Sequence, residues 1–343
     1  MKFGIFDHLD RRDVPLHQYY ADRLQLVSLY DRLGFYAYHV AEHHATPLGM
    51  APSPSVFLSS VAQRTQRLRF GPLVYTLPLY HPLRVAEEIC MLDHLSSGRL
   101  QVGVGRGISP IEVGYYGVDP VKSQSMYIES YAVVMKALTH AVLDHHGEHY
   151  SFREVPIELR PLQQPHPPIW YGVGNADGAD WCVAHRVNAV VNGPIPRVRE
   201  ITDRMRVKWQ NAGHAESDLP LMGTSRHIVV ADSDAAAQAI ATRAYARWYA
   251  SFMYLWQRHG SVPQFTPFPE HFRDAQKMGL AIAGSPATVR ELLSVQIEQT
   301  GVNYLLSRFA FGDLSLPEST LSAQLFAQEV VPALVHGDKA LAQ

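Results

Sequence analysis

The sequence predicts an α/β fold of the (β/α)8, or TIM-barrel, class. Strand-like runs alternate with helix-like runs nearly end to end, and the strands are continuously apolar, as in a parallel sheet buried on both faces. The alternation repeats eight times in 343 residues, a size that such barrels reach as one unit. An open doubly wound sheet obeys the same alternation, so pattern alone leaves that topology open.

Residues 2–6 open the chain as a strand, and 18–33 follow as an amphipathic helix with Leu24, Val27, Leu29 and Leu33 on its apolar side. Next come strand 36–41, helix 53–64, strand 68–75, helix 82–95 and strand 99–105. An irregular stretch leads to a helical pattern over 123–143. The second half continues with strand 168–173, helix 177–186, strand 187–191, helix 196–211, strand 224–231, helices 233–257 and 286–299, strand 302–309 and helix 317–334. Two stretches interrupt the rhythm. Residues 144–166 are polar and proline-rich, with a small hairpin expected around Gly147. Residues 258–283 lack periodicity, and a loop that long is expected to close over one end of the barrel. There is no internal repeat or linker, so residues 1–343 read as one barrel domain with insertions on the βα-loop side.

Composition narrows the function classes. A net charge of −2 supplies no basic field, which argues against nucleic acid or an anionic membrane as partner. Cys90 and Cys182, the two cysteines, each lie inside an apolar run and read as reduced packing residues. The chain opens directly on a strand with no signal peptide, and no apolar run approaches membrane-spanning length, so a cytoplasmic protein is expected.

Several motifs fall where strands end, which is where barrel enzymes keep their chemistry. Residues 100–107, LQVGVGRG, read as a buried strand running into a glycine-rich turn. Glycines there suggest close approach of a flat or anionic ligand, with Arg106 adding a fixed positive charge. Glu42-His43-His44 ends the second strand, and a histidine at that place is suited to trading protons near neutral pH. Asp7 and His8 end the first strand on the same rim. Gly172-Val-Gly-Asn-Ala-Asp-Gly178 opens a helix and resembles a dinucleotide fingerprint, but Asp177 stands where the third glycine belongs. What survives is a generic phosphate loop at a helix N-terminus, which with Arg106 makes two half-sites for one phosphate. The histidine-rich turn at 144–149 lies outside the barrel rhythm and reads as a solvated turn; no metal site is expected there or at the adjacent pair His43 and His44. Residues 71–82 read as a strand end continuing into a proline-punctuated loop, a candidate apolar shelf for a flat ring.

These pieces, in this order, resemble the bacterial luciferase-like flavin monooxygenase family. The resemblance runs through KFGIF at 2–6, AEHH at 41–44, LPLYHPLR at 77–84, LDHLSSGRLQVGVGRG at 92–107, QPHPPIW at 164–170 and GVNY at 301–304, nearly the whole chain. It implies a (β/α)8 barrel, usually a homodimer, that holds reduced FMN (FMNH2) at the C-terminal rim. A separate NAD(P)H:flavin reductase typically delivers the flavin, which reacts with O2 to a C4a-(hydro)peroxide that oxygenates a small organic substrate. By resemblance, the family's active-site histidine falls on His43 and its phosphate-binding arginine on Arg106. The phosphate loop falls on Gly174, Asn175 and Gly178, and a cis peptide beneath the flavin ring on Leu73-Val74. The candidate substrate pocket takes in Asp7, His8, Tyr75, Ile108 and Asn192. Three departures stand out: Gly105 replaces a reactive cysteine, SQSM at 123–126 replaces a second phosphate-gripping arginine, and Asn175 and Gly178 replace hydroxyl residues. Losing an arginine removes a strong bidentate contact, which suits a weakly held, diffusible flavin. Relatives in the superfamily use the deazaflavin F420 for hydride transfer, and others act as non-catalytic partner subunits. Both are alternatives to the oxygenase reading.

Overall fold

The computed structural model describes residues 1–263 and 268–340. Parallel strands form the wall of a barrel: β1 (Lys2–Asp7), β2 (Ala37–Val40), β3 (Arg69–Pro72) with β4 (Tyr75–Thr76), β5 (Val102–Gly105), β8 (Ile169–Gly172), β9 (Asn188–Val190), β10 (Met222–Val230) and β12 (Tyr304–Arg308). They pair in the order β3-β2-β1-β12-β10-β9-β8-β5-β4. Only Leu73 and Val74 separate β3 from β4, so the path begins and ends on two pieces of one strand. Phe70 closes the ring: its N–H donates to Arg99 O at 3.2 Å, and Gln101 N–H donates to Phe70 O at 2.8 Å. The open doubly wound alternative is thereby excluded.

The closure explains the glycines of the 100–107 segment. A Cβ on Gly103 would lie 2.4 Å from Pro72 O, one on Gly105 2.6 Å from Val74 Cγ2, and one on Gly107 2.7 Å from Thr76 Cγ2. These glycines let β5 close against β3 and β4, correcting the expectation that they clear space for a ligand.

Helices cover the outside: α1 (Leu16–Leu33), α2 (Pro54–Arg64), α3 (Pro82–Leu95), α5 (Ser123–Thr139), α6 (Ala176–His185), α7 (Ile195–Asn211), α8 (Asp234–Arg258), α10 (Pro286–Thr300) and α11 (Leu316–Leu325), which a π turn joins to α12 (Val331–Ala340). Short helices α4 (Pro110–Tyr115) and α9 (Phe272–Lys277) sit in loops. The main apolar core lies between strands and helices and includes Ile5, Val40, Phe70, Val104 and Leu305. A smaller cluster of Phe6, Ala41, Leu73, Trp170, Val190, Tyr304 and Leu306 fills the barrel itself. Successive strand residues therefore alternate between barrel interior and helix layer.

Three sequence expectations need correction. The helix expected over 123–143 ends at Thr139, where His140 turns extended, and residues 142–146 become β6 (Val142–His146) of an antiparallel hairpin with β7 (Ser151–Pro156). The hairpin is anchored by Glu129, which accepts from the His149 and Tyr150 amides and faces His145 Nε2 at 3.0 Å, so that turn is tied down to α5. At the end of 258–283 a further strand begins, β11 (Ala281–Gly284), parallel to the far half of β10. Residues 264–267 of the segment expected to close the barrel lie outside the described residues.

Candidate active site

The strand ends gather at one rim, and alternation decides which side chains enter the mouth. On β2 the inward series is His39, Ala41, then His43. Nδ1 of His43 lies 3.2 Å from Glu112 Oε1, leaving Nε2 as the atom presented to the mouth. Glu112 is placed by helix capping: Ser109 Oγ caps α4 by accepting the Glu112 N–H, and Glu112 Oε2 accepts the His44 amide at 2.7 Å. Burial by itself would lower the His43 pKa, but the Glu112 carboxylate outweighs it and the net direction is up. Glu112 shifts the opposite way: burial raises it, and His43 with the His44 amide pulls it below its ordinary value. The two shifts agree on an ion pair.

His44 points elsewhere. Its Nε2 meets Glu42 Oε1 at 2.8 Å and its Nδ1 meets Tyr116 Oη at 2.8 Å. Glu42 also accepts from Thr76 N–H and Tyr80 Oη, pinning the end of β2 to the segment after Val74. The Leu73-Val74 peptide is cis, and Leu73 belongs to the barrel-filling cluster.

On the neighbouring wall, His8 just past β1 stacks obliquely on His43, ring centroids 5.7 Å apart. Burial and then Arg308, His43 and His227 hold its pKa well below the ordinary range, so this imidazole is neutral. Asn192 beyond β9 accepts from Ser225 Oγ at 2.6 Å, and Ser225 Oγ accepts from Arg308 Nη2 at 2.8 Å. Two expected pocket residues face away. Asp7 follows inward Phe6 and so turns to the helix layer, where it accepts from Tyr38 Oη and the Leu9 amide. Tyr75 lies 2.7 Å from Ser55 Oγ on α2 and is fully buried. Neither lines the mouth.

Arg106 lies just past β5, exposed, with no hydrogen bond or ion pair among the described residues, and Ile108 beside it is 53% exposed. Across the β5–β8 seam, a Cβ on Gly172 or Gly174 would meet nothing within 4 Å, so a ligand can approach that backbone closely. Asn175 caps α6 by accepting the Gly178 amide at 2.9 Å, which takes that amide out of ligand binding and leaves the first-turn amides of Ala176 and Asp177. Arg197 of α7 donates to Gly174 O and pairs with Glu200 at 3.0 Å, bringing a second arginine to this loop from a different helix than the family pattern. An unpartnered arginine beside open backbone at a helix N-terminus fits a phosphate-bearing cofactor.

The model of the luciferase-like monooxygenase family matches residues 1–304. The chain belongs to that family. Several named relatives are monooxygenases, among them a 4-hydroxyprotoasukamycin monooxygenase and a limonene 1,2-monooxygenase. The chain is 44% identical over 331 residues to the uncharacterized protein y4wF of Sinorhizobium fredii, covering 96% of each chain. It is 30% identical over 247 residues to the oxygenase component of the flavin-dependent trigonelline monooxygenase of Acinetobacter baylyi, covering 70% of this chain and 68% of that one. Among solved structures, the monooxygenase RslO1 from Streptomyces bottropensis superposes with a TM-score of 0.86 at 24% identity, covering 97% and 99% of the two chains. The oxygenating constituent of 3,6-diketocamphane monooxygenase from Pseudomonas putida, in complex with FMN, gives 0.78 at 18%, covering 97% and 98%. An F420-dependent secondary alcohol dehydrogenase gives 0.74 at 16%, again covering 97% and 98%. The luciferase-like fold thus carries either cofactor in its solved examples. Among the described residues, no helix is long and apolar enough to cross a membrane.

Sequence reasoning did not find Glu112, Arg197, His227 or Arg308, and it named Glu42 only as part of the 42–44 motif, without its anchoring role. Ser109-x-x-Glu112 carried a readable capping signal. Arg308, a charge closing the apolar run 304–308, carried one too.

Proposed function

We propose that this chain is the oxygenase component of a two-component system. It takes reduced FMN from a separate NAD(P)H:flavin reductase and uses O2 to oxygenate a small organic substrate. The observation that carries this reading is the division of one barrel mouth. Arg106 and the open Gly172–Gly174 backbone offer a phosphate grip on one side, and the His43–Glu112 pair lies two strands away along the wall. The likeness to an oxygenase component by name supports the two-component form.

Bound reduced FMN supplies the electrons that activate O2. The protein's own groups do the rest. Arg106, with Arg197 steadying the loop, holds the phosphate end. Leu73 and Val74 would hold the ring. His43, its Nδ1 held by Glu112, carries or accepts a proton at Nε2. Phe6 and Trp248 line the interior side and exclude water, which protects a reactive intermediate from solvent. We further propose a cytoplasmic homodimer: both cysteines are buried free thiols, pushed up to about 12 by burial, and Val56, Met91 and Leu95 on adjacent α2 and α3 are exposed.

Anaerobic titration with photoreduced FMN, beside F420, tests this reading. Saturable FMNH2 binding, followed on oxygenation by a rate of hydrogen peroxide release that His43→Ala changes, is expected. Absence of FMNH2 binding refutes it, and selective binding of F420 replaces it with hydride transfer.

A further inference from the structure

The interior wall opposite Arg106 holds a buried charge that the flavin reading does not use. Arg308 ends β12 on the inward side, in series with Tyr304 and Leu306, and is 3% exposed. In the ring of strands β12 lies directly across from β5, so Arg308 and Arg106 occupy opposite sides of one mouth.

No carboxylate pairs with Arg308 among the described residues. Nη2 donates to Ser225 Oγ at 2.8 Å and Nη1 lies 3.4 Å from His227 Nε2, both neutral partners. Its Nε has no partner among the described residues. Asp10, the acid whose field reaches it, is occupied by the Gly312 amide and by Arg23. Around the guanidinium stand aromatic faces: Phe6 at 4.9 Å and Trp248 at 5.8 Å from its carbon. His227 Nδ1 and Trp248 Nε1 are likewise buried without a partner among the described residues. Unsatisfied buried polar groups are rare, and the cation's own Nε together with one on each of two neighbouring rings marks a place completed by something else. Burial keeps His227 neutral, so it adds no competing charge, and Arg308, lowered to about 9, stays protonated at neutral pH.

We propose that Arg308, backed by Ser225, receives the carboxylate of an organic substrate whose flat or apolar body lies against Phe6 and Trp248. A guanidinium edge between aromatic faces matches a planar oxyanion joined to an apolar group. Calling that ligand the substrate rests on the oxygenase reading; the carboxylate site does not.

The test is calorimetric titration of the flavin-free protein at neutral pH with benzoate, phenylacetate and octanoate, each beside its amide. At least one carboxylate should saturate one-to-one and bind about tenfold or more tighter than its amide. Arg308→Met should abolish that preference and Arg308→Lys should keep part of it. Because replacing an unpaired buried charge with an apolar side chain is often neutral or stabilising, Arg308→Met should melt no lower than the parent protein. The proposal is overturned if no carboxylate saturates, if amides bind equally, if Arg308→Met keeps the preference, or if that variant loses its fold while Arg308→Lys binds no carboxylate. It is also overturned if Arg308→Met loses FMN binding while Arg106→Ala retains it, because Arg308 then grips the cofactor phosphate. A protein that binds benzoate but no FMN would retire the oxygenase reading and leave this site standing.

Discussion

Alanine at Gly103 and alanine at Gly174 should fail in opposite ways. At Gly103 the new Cβ would lie 2.4 Å from Pro72 O and 3.0 Å from both Leu73 Cα and Cδ1, where ordinary contact begins at 3.4 Å. The β3–β4 junction must then retreat by about 1 Å, and overpacking of that kind costs about 1–3 kcal/mol. At about 2.1 cal/mol/K of unfolding entropy per residue, one kcal/mol shifts the Tm of a 343-residue chain by about 1.4 °C, so Tm should fall by roughly 1–4 °C. The displaced groups are those beneath the proposed flavin ring, and a misplacement of about 1 Å can cost about a hundredfold in rate. At Gly174 the Cβ meets nothing, and its φ lies outside the left-handed region, so Gly174→Ala should leave Tm unchanged or raise it slightly. It should instead intrude on the phosphate cradle and weaken FMNH2 binding about tenfold or more, the value of one charge-assisted hydrogen bond of about 1.5–3 kcal/mol. Thermal melts and anaerobic flavin titrations on both variants check this. A Gly103→Ala protein with parental Tm, or a Gly174→Ala protein that melts early yet binds flavin normally, would refute the assignment of the two glycines.

Removing the Glu112 charge should move His43. In Glu112→Gln the His43 pKa falls, so any limb of the pH–rate profile that His43 governs shifts to lower pH; an unmoved limb assigns it to another group. The same pair makes stability depend on pH. Glu112 is depressed, so its contribution is present above its ordinary value of 4.5 and is lost as pH falls through its folded pKa. His43 is raised, so its contribution is complete below its ordinary value of 6.5 and is lost as pH rises through its folded pKa. The stability gap between parent and Glu112→Gln should therefore peak between those limits and shrink on either side; a gap flat with pH contradicts the ion pair. Arg106→Ala should weaken FMNH2 binding by about tenfold to a hundredfold without changing Tm, since the side chain is exposed and unpartnered; fluorescence titration and melting check both. Tyr75→Phe should cost about 1 kcal/mol through the lost Ser55 bond and leave steady-state kinetics alone, whereas a KM effect would return Tyr75 to the pocket.

All eight wall strands and their helices were legible, because strands buried on both faces are unbroken apolar runs. That same continuity hid which alternate residues point inward. Asp7 and Tyr75 were expected in the mouth for being near strand ends, yet each faces the helix layer, and only the partners they find there, Tyr38 and Ser55, decide it. His43 and His8 were found because a histidine at a strand end is a chemical signal independent of register. β11 escaped because Ala281-Ile-Ala-Gly284 is too short and too small-sided to show a period. The glycines at 103, 105 and 107 were noticed correctly but for a different reason: their constraint comes from the opposing strand, a contact no local pattern encodes.

We propose that one mouth holds flavin on the Arg106 side, with His43 nearby and the opposite wall left for substrate. The most direct measurement is a crystal structure of the protein soaked with FMN. The phosphate should meet Arg106 and the backbone at Gly172–Gly174, with the ring over Leu73-Val74. A phosphate seated on Arg308, or a ring stacked against Phe6 and Trp248, would contradict the account.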